Sequence, residues 1–157
     1  MLLVATACGS SDSAGSTQVI ATSSTTAQEA LAIDGPVMRY QETSSASGQL
    51  ATLLQGVLQL DGGCLYLVQD AIGERFPVLW PAGTRWDEPN QSVVSPVGDV
   101  MRIGGAVEGR GGYFYLSDVG LLAGTAARNL AAQCVDNSFN QTAVVENEGA
   151  AIGPKAN

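Results

Sequence analysis

The sequence contains no histidine, only three cysteines, and few charged residues, 14% in all. Without histidine, neither a Ser-His-Asp nor a Cys-His nucleophilic system can be assembled, and the commonest zinc and copper ligand is missing. Cys8, Cys64 and Cys134 show no C-x-x-C spacing and are too few for a closed thiolate zinc site, so neither metal nor cofactor is expected. Basic residues are scarce too: 7 against 15 acidic ones, a net charge of -8 with a pI near 4.2. A surface of that sign repels phosphate backbones, which argues against nucleic acid binding driven by counterion release. No stretch approaches the ~18 apolar residues of a membrane-spanning helix.

What remains is a chain of 157 residues, 45% of them hydrophobic, enough for one domain with a real core plus tails. Low charge together with 19 glycines fits a turn-rich β fold better than a charged helical bundle.

The amino terminus begins with an uncharged apolar run, Leu2 to Ala7, in which Ala5 and Ala7 are small enough for the pockets of a signal peptidase, and Cys8 follows. Ala5 to Cys8 resembles the lipobox of bacterial lipoproteins, in which the cysteine thiol receives a diacylglyceryl group and becomes the first residue of the mature chain. Two departures from that family stand out: Ala5 occupies the position most often held by Leu, and no Lys or Arg precedes the short apolar run. The true translation start is therefore expected further upstream, with residues 1–7 the end of a signal peptide. Read without the resemblance, Cys8 is an ordinary thiol in a frayed tail.

From Gly9 to Thr26 the chain is almost wholly Gly, Ser, Thr, Ala and Gln, a composition unable to repay its own ordering entropy by burial. Residues 8–48 are expected to be the lipidated cysteine and a flexible tether; extended, ~30 residues span on the order of 100 Å. Acyl chains on Cys8, at about 0.8 kcal/mol per buried methylene, would hold the protein on the outer side of the cell membrane.

Strand signals begin after Gly48. "QLATLLQGVLQL" ends in Asp61-Gly62-Gly63, a hairpin signal, and "CLYLVQD" returns with Cys64, Tyr66 and Val68 on one face and Leu65 and Leu67 on the other. "RFPVLW" (Arg75 to Trp80) follows, its Pro77 pointing to an edge or bulge. Pro81 to Gly98 reads as an irregular loop. "DVMRIGGAVEG" (Asp99 to Gly109) reads as a strand curved at Gly104-Gly105, with a turn at Arg110-Gly111-Gly112 into "YFYLSDV" (Tyr113 to Val119). Gly124 to Cys134 is weakly helical. The expected fold is all-β: a small five-stranded Greek-key barrel resembling the OB-fold over residues 49–135, with 136–157 a disordered tail, and a small β-sandwich as the alternative. If Cys8 carries lipid, Cys64 and Cys134 remain to form a disulfide in an oxidising compartment; two separate buried thiols are the alternative.

"VLWPAGTRWDEPNQ" (Val78 to Gln91) is the most distinctive stretch, with both tryptophans, Arg85 and the adjacent carboxylates Asp87 and Glu88. With "GCLYL" before it, this run resembles a pattern of small exported actinobacterial lipoproteins of unknown function, over roughly residues 56–107, which implies location and fold and no activity. Three roles are open. Trp80, Trp86, Tyr113 and Tyr115 could line a groove that stacks on a sugar or peptide while Arg85, Asp87 and Glu88 supply polar contacts. Asp87 or Glu88 could pair with a distant acid such as Asp70 or Glu74 for glycoside cleavage. Or Trp80 plugs the barrel, Trp86 packs the loop and Arg85 pairs with a neighbouring carboxylate. The expectation is a non-enzymatic binding or accessory module of the cell envelope, with a cell-wall glycan or envelope protein as partner; the alternative is a cell-envelope carbohydrate hydrolase using paired carboxylates.

Overall fold

The computed structural model describes residues 32–40, 52–69, 71–146 and 152–155. Strands β1 (Ile33–Asp34) and β2 (Val37–Arg39) come first, then β3 (Thr52–Asp61), β4 (Cys64–Val68) and β5 (Arg75–Trp80). A meander of β6 (Arg85–Asp87), β7 (Ser92–Val94) and β8 (Val100–Arg102) precedes β9 (Ala106–Tyr115), helix α1 (Leu116–Cys134), β10 (Gln141–Val145) and β11 (Ile152–Pro154).

Five of these strands close on themselves. β3 pairs with β4, β4 with β5, β5 with β10, β10 with β9, and β9 with β3, every pair antiparallel except β5–β10. This is an all-β, OB-like Greek-key barrel, with closure leaving few free edges. The side-chain alternation predicted for β4 holds: Leu65 and Leu67 join Leu54, Leu58, Phe76, Val78, Trp80, Val107, Ala143 and Val145 inside the barrel, while Cys64, Tyr66 and Val68 face out.

The fifth barrel strand is not the one expected. It is β10, drawn from the 136–157 stretch that the sequence suggested was a disordered tail, and β11 from the same stretch pairs with β9. Arg110-Gly111-Gly112 is no turn but the middle of β9, because a Cβ at Gly111 would run into the Val144 carbonyl oxygen and Leu54 Cδ1: the glycine lets three strands approach. The expected strand end Leu116–Val119 opens α1, a longer helix than predicted, divided at Gly124, whose φ is +81°. Val119 and Ala123 before this break and Ala127 and Ala131 after it are all buried, and their small size lets both halves lie closely on Leu79, Val144, Met38 and Tyr40 outside the barrel.

Residues 32–40, placed within the flexible tether, form β1 and β2, and β2 takes up the edge of β5 at Leu79 and Trp80, beyond the point where β4 leaves it at Pro77. Pro77, expected at an edge or bulge, thus sits where partners change. Pro81 to Gly98 contains β6 and β7, and with β8 this three-stranded sheet carries Val93 and Met101 into the barrel core at one end. Residues 1–31, Cys8 among them, and tether residues 41–48 lie outside the described residues.

Cys64 and Cys134 are joined by a disulfide, their Cα atoms 5.6 Å apart across 70 positions of sequence. It ties the start of β4 to the end of α1. Beside it the Tyr66 hydroxyl donates to the Cys134 carbonyl at 2.9 Å, and the Arg75 guanidinium lies 4.5 Å over the Tyr66 ring while bonding Asp61 (2.8 Å) and Asp136.

Candidate functional site

The residues singled out in the sequence divide between two ends of the barrel. Trp80 ends β5 fully buried in the interior cluster, where it plugs the barrel. A turn closed by Thr84 N–H to the Pro81 carbonyl (3.2 Å) leads into β6. There Trp86 packs half-buried on the same cluster and lies over Gly35, whose φ of +57° and lack of a Cβ leave room for the indole. The Trp86 backbone N–H donates to the Asp34 carboxylate at 3.1 Å, and the Arg39 guanidinium donates to the Thr84 carbonyl at 3.3 Å, so the loop is fastened to β1 and β2.

Alternation along β6 turns Arg85 and Asp87 to the opposite side from Trp86. Arg85 is exposed and, among the described residues, forms no ion pair, in contrast to the pairing expected with Asp87 or Glu88. Asp87 accepts from the Asn90 side-chain amide at 2.9 Å, and Glu88 is exposed.

Tyr113 and Tyr115 belong elsewhere. Tyr113 stands 4.7 Å from the Phe76 ring, near the start of β5, and receives a hydrogen bond on its hydroxyl from the Gln69 amide. Burial pushes its phenol above the ordinary range. Tyr115, 58% exposed, ends β9 opposite Gln141. A single groove lined by Trp80, Trp86, Tyr113 and Tyr115 is therefore not formed.

Glu74 is not brought together with Asp87 or Glu88 as the pairing for glycoside cleavage would require. Glu74 precedes β5 and is held by the Ser138 hydroxyl at 2.6 Å, whereas Asp87 and Glu88 follow its far end. A six-residue strand lies between, roughly 17 Å at 3.3 Å per residue, against the ~5 to 9.5 Å separations that reaction uses. Asp70 lies outside the described residues. Among the described residues no three His, Cys, Asp or Glu side chains converge as a metal site, and no helix is long and apolar enough to cross a membrane.

A concave surface among the described residues lies away from the Trp80–Trp86 loop. An open groove of about 300 Å³ is lined by Leu53, Gln55, Gly56, Gln69, Ala71, Ala106 and Lys155. It forms because β3 changes partners there: its pairing with β4 ends at Val57–Val68, and its pairing with β9 carries on to Thr52–Gly111. Gly56 sits at the parting, where a Cβ would strike the Val68 carbonyl. A glycine inside an otherwise regular strand was the one signal in the sequence that could have marked the place. The groove is mostly polar: the Gln55 amide donates to Glu108 at 3.0 Å, the Gln69 amide donates to Tyr113, and Lys155 projects into solvent.

No protein-family model matches the chain, and neither curated proteins nor solved structures include a significant match to it.

Proposed function

We propose that this chain is an extracytoplasmic lipoprotein, held on the outer side of the cell membrane by lipid on Cys8, whose barrel acts as a non-enzymatic binding or accessory module of the envelope. The observation that carries the reading is the buried Cys64–Cys134 bridge. A disulfide spanning most of a domain belongs to an oxidising compartment, and its formation leaves Cys8, in its lipobox-like setting, as the remaining cysteine of the sequence. The binding role is supported by the groove beside β3, whose volume is at the lower end of the about 300–1,000 Å³ range of ligand clefts. A cell-wall glycan or an envelope protein is the partner class, and the groove replaces the Trp80–Trp86 loop as its place.

The test is fractionation of the host after feeding a labelled fatty acid. The native chain should sediment with membranes and carry label, and a Cys8→Ser chain should do neither. Identical behaviour of the two would overturn the anchor.

A further inference from the structure

Among the described residues, the groove contains a strand edge with no partner strand. Leu58 N–H bonds the Gly105 carbonyl, and Gly104 N–H bonds the Leu58 carbonyl, so the backbone polar groups of Leu58 face β9. Strand alternation then turns those of Gly56 and Leu54 to β9 as well, and those of Val57, Gln55 and Leu53 to the opposite side. Val57 meets Val68 of β4 there. Beyond it, no described strand pairs with Gln55 or Leu53, and both residues line the groove. Free edges are usually blunted by charge, proline or a cover. Thr52-Leu53-Leu54-Gln55-Gly56 carries no charge and no proline, and Leu53 is 57% exposed.

We infer that the groove binds an extended peptide segment, which adds as a strand along Leu53–Gln55 of β3 and turns a carboxylate over the sheet face toward Lys155, which follows β11 on the far side of β9. Two residues of free edge offer N–H donors and C=O acceptors in the spacing of a peptide backbone, about 3.3 Å per residue, which a sugar ring does not reproduce. Recognition by strand addition draws affinity from main-chain bonds and specificity from flanking groups. Here the flanking groups are the Gln55 and Gln69 amides and Lys155, the only lysine of the sequence. Lys155 is anchored by its own backbone N–H, which bonds the Ala106 carbonyl at 3.0 Å, and its side chain forms no ion pair among the described residues. The net charge of -8 disfavours a polyacidic ligand, so one carboxylate, at a chain end or on a single acidic side chain, is what the site accepts.

The inference rests on the domain being a binding module and is independent of the anchor. Amide hydrogen exchange of the full chain, followed by NMR, tests it with the probe acetyl-Thr-Val-Thr-Val-Asp bearing a free carboxyl terminus. At saturation the Leu53 and Gln55 amides should exchange about tenfold more slowly or better, since they open only when the peptide leaves. Gln55→Pro removes one edge donor that β9 does not use and should abolish protection; Lys155→Glu, at an exposed position, should weaken it while leaving the fold intact. Unchanged exchange at Leu53 and Gln55, or protection that survives Gln55→Pro in a folded chain, would overturn strand addition. Groove resonances that move with a chitin oligosaccharide but not with the peptide would overturn it while sparing the binding module; silence to both would sink both.

Discussion

The Tyr66 hydroxyl, on the outer wall of β4, donates to the carbonyl of Cys134 at the end of α1, so the side chain beside the disulfide reinforces the same junction without a covalent bond. Both groups are buried, and Arg75 covers the ring on its solvent side. Removing the hydroxyl in Tyr66→Phe leaves a buried carbonyl unpaired and should cost about 1–3 kcal/mol in urea unfolding of the oxidised protein. Burial also raises the phenol of Tyr66, as it does that of Tyr113. The unfolded phenols ionise near pH 10 while the folded ones stay neutral to higher pH, so stability is unaffected by these groups in neutral solution and falls as the pH rises past 10. Unfolding midpoints measured between pH 8 and 11 should show that fall, and it should be shallower in Tyr66→Phe.

The bridge closes a loop of 70 positions. On the chain-entropy account such a closure stabilises by roughly 4 kcal/mol, a large share of the ~5–15 kcal/mol typical of a folded domain. The Cys64→Ala, Cys134→Ala double variant should therefore unfold at much lower urea concentration than the native chain, and α1 should lose helical circular dichroism before the barrel strands do.

The two tryptophans should respond in graded fashion. Trp80→Ala empties the centre of the barrel and should cost about 3–5 kcal/mol, with Trp86→Ala nearer 2 kcal/mol because its indole is only half-buried. Glu88→Ala, at an exposed position, should stay within about 0.5 kcal/mol. Denaturant titration of all three variants checks the order.

Gly111→Ala puts a methyl group against the Val144 carbonyl oxygen and the Leu54 side chain, and the backbone oxygen has no rotamer by which to yield. A destabilisation of about 3 kcal/mol or more is expected, at or beyond the upper end for overpacked cores. A thermal midpoint close to that of the native chain would show that β9 and β10 can part without cost.

What was legible in the sequence was local. The hairpin at Asp61-Gly62-Gly63, the two faces of Cys64–Val68, the strand ending in Trp80 and the pairing of Cys64 with Cys134 follow from patterns within a few residues or from counting thiols. Elements were lost where distant partners decide the conformation. Gln141–Val145 is a short strand between polar stretches, and it is specified by a parallel neighbour more than 60 residues away and by an antiparallel one across the whole of α1. Arg110-Gly111-Gly112 carries a turn signal that close packing overrides. The aromatic candidates looked like one site because they share a chemistry; Trp80 and Tyr113 belong to opposite ends of the barrel. The groove was invisible for a different reason: a strand edge becomes free through the departure of its neighbour, which no residue type announces.

The most direct test of the central claim is the intact mass of the protein from the membrane fraction of its own host, taken with and without reductant. The account predicts a chain that starts at Cys8 with acyl mass on that residue and gains two hydrogens when the Cys64–Cys134 bridge is reduced. An unacylated chain whose mass does not change with reductant would contradict both the anchor and the oxidising location on which the proposed function stands.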